Sequence, residues 1–130
     1  MFNTKRSFQD KWNNNVELLF LDTLDEKSDV HKWILNRNGF SAIADLRKFL
    51  EGKKRILDAG CGNGRVTALI RKNAPISAEV LGFDLISPSI PKQNFDRFSI
   101  TDIKIMEKDL MQDLSDLGKF DFIYCQEVLH

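Results

Sequence analysis

"ILDAGCGNGRV", residues 56–66, sets three glycines at alternate positions (Gly60, Gly62 and Gly64) directly behind an apolar run. Glycine surrenders more backbone freedom on folding than any other residue, so this density is costly. One glycine is enough for a tight turn; three in alternation favour a place where a ligand meets nearly bare backbone. "KKRILDAG" (53–60) reads as a mostly buried strand and "RVTALIRKNA" (65–74) as the helix behind it. In an open α/β sheet, ligands bind off the carboxyl ends of the strands, which is where this loop stands. Gly60 is expected to make the sharp exit turn, Gly62 to let ligand approach the backbone, and Gly64 to let the following helix pack close to the strand.

The same alternation continues downstream. "AEVLGFD" (78–84) reads as a second strand and "SPSIPKQNFDRF" (87–98) as a short helix, with Ser87 as cap and Pro88 at its first position. "TDIKIMEKD" (101–109) is a third strand, "LMQDLSDLGK" (110–119) a helical or looped connection, and "FDFIYCQEVLH" (120–130) a fourth strand running out into a helix start. Strands joined by helical crossovers form a parallel sheet with right-handed connections. Residues 53–130 therefore read as a Rossmann-like, doubly wound α/β domain. Residues 1–52 read as an N-terminal helical extension whose aromatic residues, Phe8, Trp12, Phe20 and Trp33, fit either a lid or plain packing. Within it, 16–24 is expected to be helical. In the helix of 25–40, Val30, Trp33, Ile34 and Arg37 recur at helical spacing and Asn38-Gly39 ends the run. His31 reads as solvated, off the apolar face. A helix in 41–52 is expected to be capped by Ser41, with Ile43, Leu46, Phe49 and Leu50 on one face.

Composition narrows the function classes. The 130 residues are 42% hydrophobic and 29% charged, ordinary for a globular domain. Nineteen basic residues balance nineteen acidic ones, so no overall field draws the chain to nucleic acid or to an anionic membrane. No uncharged apolar run approaches the roughly 20 residues of a membrane helix. The N-terminus lacks the apolar core of a secretory signal. Cys61 and Cys125 make no disulfide framework; two reduced thiols in a cytoplasmic protein are expected.

A nicotinamide dinucleotide site wants G-x-G-x-x-G/A, but the sixth position is Arg65 counted from Gly60 and Thr67 counted from Gly62. A phosphate P-loop, G-x-x-x-x-G-K-S/T, is absent as well. "ILDAGCGNGRVT", with Asp58 ahead of its glycines, resembles the first motif of class I S-adenosylmethionine-dependent methyltransferases, in the branch with a methyltransferase domain. "LGFDLIS", "MEKDL" and "FDFIYCQEVLH" are similar to that family's second-, third- and fourth-strand motifs, in order across residues 53–130.

The resemblance implies S-adenosylmethionine as cofactor and methyl transfer as activity. The cofactor-binding set it implies is Asp58, Gly60, Cys61, Gly62, Gly64, Asp84, Leu85, Asp109, Leu110 and Gln126. Asp84 stands about 20 residues past the glycines, where an acid accepts from ribose hydroxyls; a solvated turn acid or a helix cap is its alternative. Asp109 would accept from the adenine amino group and the Leu110 N–H would serve a ring nitrogen, although an N-cap suits Asp109 almost as well. Asp58 would orient the methionine ammonium, Gln126 would line the methionine side, and Leu85 with Ile86 would cover the adenine faces. His130 is the candidate general base, against a plain packed helix residue. The fourth strand reads "CQEVLH", without the Asn-Pro-Pro-aromatic signature of amino-group methylation on DNA. A small-molecule acceptor is therefore expected, with neither nucleic acid nor membrane as partner.

The family's sheet normally continues beyond a fourth strand, so residues 1–130 are expected to be the N-terminal part of a longer methyltransferase, silent in catalysis alone. A non-catalytic module binding S-adenosylmethionine or S-adenosylhomocysteine is the alternative.

Overall fold

The computed structural model describes Gln9, residues 16–109 and residues 111–125. After the helical Gln9, the described residues run through α1 (Phe20–Leu24), α2 (Asp29–Arg37) and α3 (Ile43–Leu50). Then follow β1 (Arg55–Ala59), α4 (Arg65–Asn73), β2 (Glu79–Asp84), α5 (Ser89–Arg97), β3 (Ile103–Glu107), a 3-10 turn (Ser115–Leu117) and β4 (Phe122–Cys125). The four strands pair in parallel in the order β3-β2-β1-β4. This is the Rossmann-like arrangement expected, with β1 at the centre and the chain reversing from one side of it to the other.

Register follows from the apolar pattern. Ile56 pairs with Val80 and Phe122, Leu57 with Leu81 and Ile123, and Ala59 with Phe83 and Cys125. Successive residues point to opposite faces, so β1 and β2 feed two cores. Ile56 and Val80 pack with Ile34, Leu35, Leu46, Leu50, Leu69 and Ile70 of α2, α3 and α4. Leu57, Ala59, Leu81 and Phe83 pack with Leu117 on the other face. Burying each of the valine, leucine, isoleucine and phenylalanine side chains among them is worth about 1.5–3 kcal/mol. A third cluster, Phe20, Ala68 and Phe95, joins α1, α4 and α5, with Phe98 stacked on Phe20. The buried Arg71 closes the end of α4 onto the next strand, its guanidinium donating to the carbonyls of Pro75 and Ala78.

Several local expectations are corrected. Residues 16–24 are helical only from Phe20; residues 16–19 form turns, and Leu19 sits at φ 58°. Ser41 does not cap α3. The Asp45 carboxylate instead reaches back to accept from the N–H groups of Ser41 and Ala42, the reciprocal half of a capping box. His31 is buried, because its Nδ1 lies 2.8 Å from the Thr23 carbonyl at the end of α1. Trp33 and Phe49, expected on apolar faces, are exposed; Trp33 carries the Arg37 guanidinium over its ring. The helix after β2 is nine residues long rather than short: Pro88 and Pro91 stand where helix N–H groups have no intrahelical partner. The connection before β4 agrees with the helical or looped stretch expected: among its described residues it is a loop with one 3-10 turn, stopped at Gly118.

Candidate functional site

The glycine loop leaves β1 and crosses the end of β2. The N–H groups of Gly60 and Cys61 both donate to the Phe83 carbonyl, at 2.8 and 2.9 Å. Gly60, Gly62 and Gly64 all adopt positive φ, 78°, 56° and 85°, the left-handed region that side chains resist. At Gly64 a Cβ would lie 2.6 Å from Phe95 Cζ and 3.0 Å from Pro91 Cβ, so its bareness admits α5. Gly82 in β2 was not singled out by sequence reasoning. A Cβ there would come 3.2 Å from Cys61 Cβ and 2.9 Å from Ile105. A glycine inside a strand is the signal of such an approach.

Two acids converge on this loop. Asp84 closes β2, and its half-buried carboxylate accepts from the Gly62 N–H at 2.8 Å and from the Leu85 N–H at 2.7 Å. Asp58 points from β1 toward α4, is 2% exposed, and accepts from the Thr67 hydroxyl at 2.6 Å. Burial is the main force on it: its pKa rises from 3.8 to about 7, against the lowering pull of the Thr67 bond, with Asp84 adding to the rise and Arg65 opposing it. The Cys61 thiol is buried, and burial first, then Asp58 and Asp84, raises its pKa. Cys125, across from Ala59, is exposed, and both cysteines are free thiols.

The other expected residues are placed unevenly. Leu85 is half-buried at the strand end, but Ile86 is 1% exposed and belongs to the interior, so it does not present a face to a ligand. Asp109 lies beyond β3 and turns its carboxylate onto the Met111 N–H at 2.8 Å, a local turn; among the described residues no helix starts there for it to cap. β3 is brought to the site by the Lys108 N–H, which donates to the Asp84 carbonyl. Leu110, Gln126 and His130 lie outside the described residues.

Sequence reasoning passed over two asparagines. Asn63, inside the loop, is fully buried and donates to the carbonyls of Val16 and Leu18, at 3.1 and 2.9 Å. Asn94 of α5 donates to Val16 and Asn63. Upstream, Gln9 Oε1 accepts from the Ser87 N–H. The chain ahead of α1 therefore crosses the rim of the loop. Asparagine is common in loops, and nothing in its local context marks a partner 45 residues away. A separate apolar cavity, lined by Ile34, Leu46, Val66, Ile70, Phe122 and Tyr124 among others, sits between α2, α3, α4 and β4; no residue of the glycine loop borders it.

Residues 18–130 match the family described as "Methyltransferase domain". No curated protein matches the sequence. Among solved structures, the N-terminal domain of EvdMO1 with SAH bound is similar at 20% identity and TM-score 0.54, over 95% of this chain and 53% of that one. A putative O-methyltransferase from Klebsiella pneumoniae aligns at 21% identity and TM-score 0.51, over 88% and 60%. A protein-L-isoaspartate O-methyltransferase aligns at 20% and 0.51, over 64% and 27%. The likeness is one of fold, and this chain spans less than two thirds of the length of each of these proteins.

Proposed function

The chain belongs to the methyltransferase-domain family, and from that premise we propose that it binds S-adenosylmethionine at the glycine loop and serves methyl transfer to a small-molecule acceptor. The observation that carries this reading is the meeting of Asp84 with Gly62. A half-buried carboxylate at a strand end holds the loop by one N–H, and each of its oxygens has the lone-pair capacity for a further donor. That suits a ribose diol laid along bare backbone. The buried Asp58 suits a cation, because an ammonium beside it would offset the desolvation that now favours its protonated form. An acidic pair ahead of and behind a glycine loop fits a zwitterionic amine on a ribose better than it fits a pyrophosphate.

The cofactor supplies an already activated methyl group, so the protein's task is positioning. Asp84 fixes the ribose and Asp58 the ammonium. Leu85, Asp109 and Leu110 border the adenine, and Gln126 the methionine arm. Below pH 7 the Asp58 carboxyl gives up its proton when a cation docks against it. His130 is kept as the candidate base for an acceptor proton. Among the described residues no helix is long and apolar enough to cross a membrane; a cytoplasmic location is part of the proposal.

Calorimetry tests it. S-adenosylhomocysteine should bind and nicotinamide dinucleotides should not; the reverse result sinks the reading. Asp84→Ala should weaken binding by about 1.5–3 kcal/mol, the worth of a charge-assisted hydrogen bond. Affinity should rise between pH 6 and 8 as Asp58 ionises, with proton release at the lower pH; Asp58→Asn should abolish that release.

A further inference from the structure

We propose that Asn63 is a positioning residue that ties the segment 16–19 to the glycine loop, so that closure of this segment and occupancy of the loop stabilise each other; the proposal rests on the reading of the loop as the cofactor site. Asn63 is fully buried and uses both ends of its amide. Its nitrogen donates to Val16 and Leu18, and its oxygen accepts from the Arg65 N–H at the start of α4 at 3.2 Å. One side chain thus joins the segment to the loop and the loop to its helix. Asn94 adds a bond from α5 to Val16 and another to the Asn63 carbonyl.

The second anchor is farther along. Arg65 Nη1 donates to the Thr23 hydroxyl at 3.0 Å, and that hydroxyl donates to the Leu19 carbonyl at 2.7 Å. Between the anchors Leu19 is held at φ 58°, a conformation a leucine adopts only when its surroundings force it. Leu18, Leu19 and Leu21 are left 38–57% exposed. The Oδ1 of Asn94, buried, has no hydrogen-bond partner among the described residues. Strain at Leu19 and an unmatched buried acceptor both subtract from the stability of the closed segment. Phe20, fully buried and stacked on Phe98, holds α1 itself, so these debits fall on residues 16–19 ahead of it, the stretch whose population a ligand can shift. A ligand that holds Gly62 and its neighbours in place holds Asn63 in place, and through it residues 16 and 18.

Asn63→Ser separates the two roles of the side chain. A serine hydroxyl can still accept from the Arg65 N–H, as helix-capping serines do, but is too short to reach Val16 and Leu18. Surface plasmon resonance with S-adenosylhomocysteine on the full chain should show the dissociation rate at least tenfold faster for Asn63→Ser, with the association rate within twofold of wild type. A merely misfolded fraction would lower the saturating amplitude instead and leave both rates unchanged. Chymotrypsin gives a second readout: saturating S-adenosylhomocysteine should slow cleavage within residues 16–19 of the wild type at least fivefold, and should lose that effect in Asn63→Ser. Wild-type binding with no protection of the segment, or an unchanged dissociation rate in the variant, overturns the coupling and leaves the cofactor reading standing. Failure of the wild type to bind removes both.

Discussion

The two central strands and the two flanking ones are built on different rules. Within β1 and β2 every residue but the first of β1 and the two ends of β2 is buried. In β3 and β4 burial alternates or lapses. The flanking strands differ again from each other. β3 turns Lys104 and Glu107 to solvent, the charges that protect an edge from further pairing. β4 turns out Ile123 and Cys125, with Ile123 54% exposed. The pair β1–β2 carries the glycine loop and both acids, so the site is mounted where the sheet yields least.

If that contrast is right, the largest effect belongs to the loop behind β1. Gly64→Val would put a branched side chain at φ 85° and drive it into Phe95. Positive-φ strain and overpacking together should cost about 2–6 kcal/mol, read as loss of a cooperative denaturant melt. A stable Gly64→Val would break the comparison.

Next comes Asp58. Its folded pKa of about 7 exceeds its ordinary 3.8, so between those values the folded state holds a proton that the unfolded chain has lost. Stability must then fall as pH rises through this window, by about 2–3 kcal/mol between pH 5 and 7 at 1.36 kcal/mol per unit. Glu79 and Asp121, with pKa values lowered by hydrogen bonds to Arg55 and Lys104 and to the Lys54 and Arg55 amides, act in the opposite sense and only below the ordinary carboxylate range. Urea melts of Asp58→Asn should be flat over pH 5–7; a slope equal to wild type would assign the proton elsewhere.

The smallest effect lies at the flank. Ile123→Lys should change stability by no more than about 0.5 kcal/mol, while sedimentation shows less self-association than wild type. A loss comparable to that at Gly64 would mean that β4 is as tightly packed as the centre.

What the sequence made legible follows the same division. The glycine loop and the strand runs "RILDA" and "EVLGFD" announce themselves because buried parallel strands are apolar throughout and ligand-facing turns need glycine. The parallel topology followed from the strand–helix order. Features that depend on distant partners were not legible. His31 looked solvated by its helix position, and only the Thr23 carbonyl of another helix makes it buried. Ser41 had the chemistry of a cap, yet Asp45 captured the free amides from inside the helix. Asn63 and Asn94 carried no periodicity at all, and their meaning lies in carbonyls 45 and 78 residues away.

The carboxylate of Asp121 accepts from the amides of Lys54 and Arg55, 67 and 66 residues earlier. At a ribosomal rate of 5–20 residues per second, β1 stands for roughly 3–13 s without the neighbour that closes its second side. During synthesis the centre of the sheet is, for that interval, its edge. A nascent chain halted before residue 121 should engage holding chaperones through "RILDA", and release should coincide with the emergence of "FIYC" from the exit tunnel.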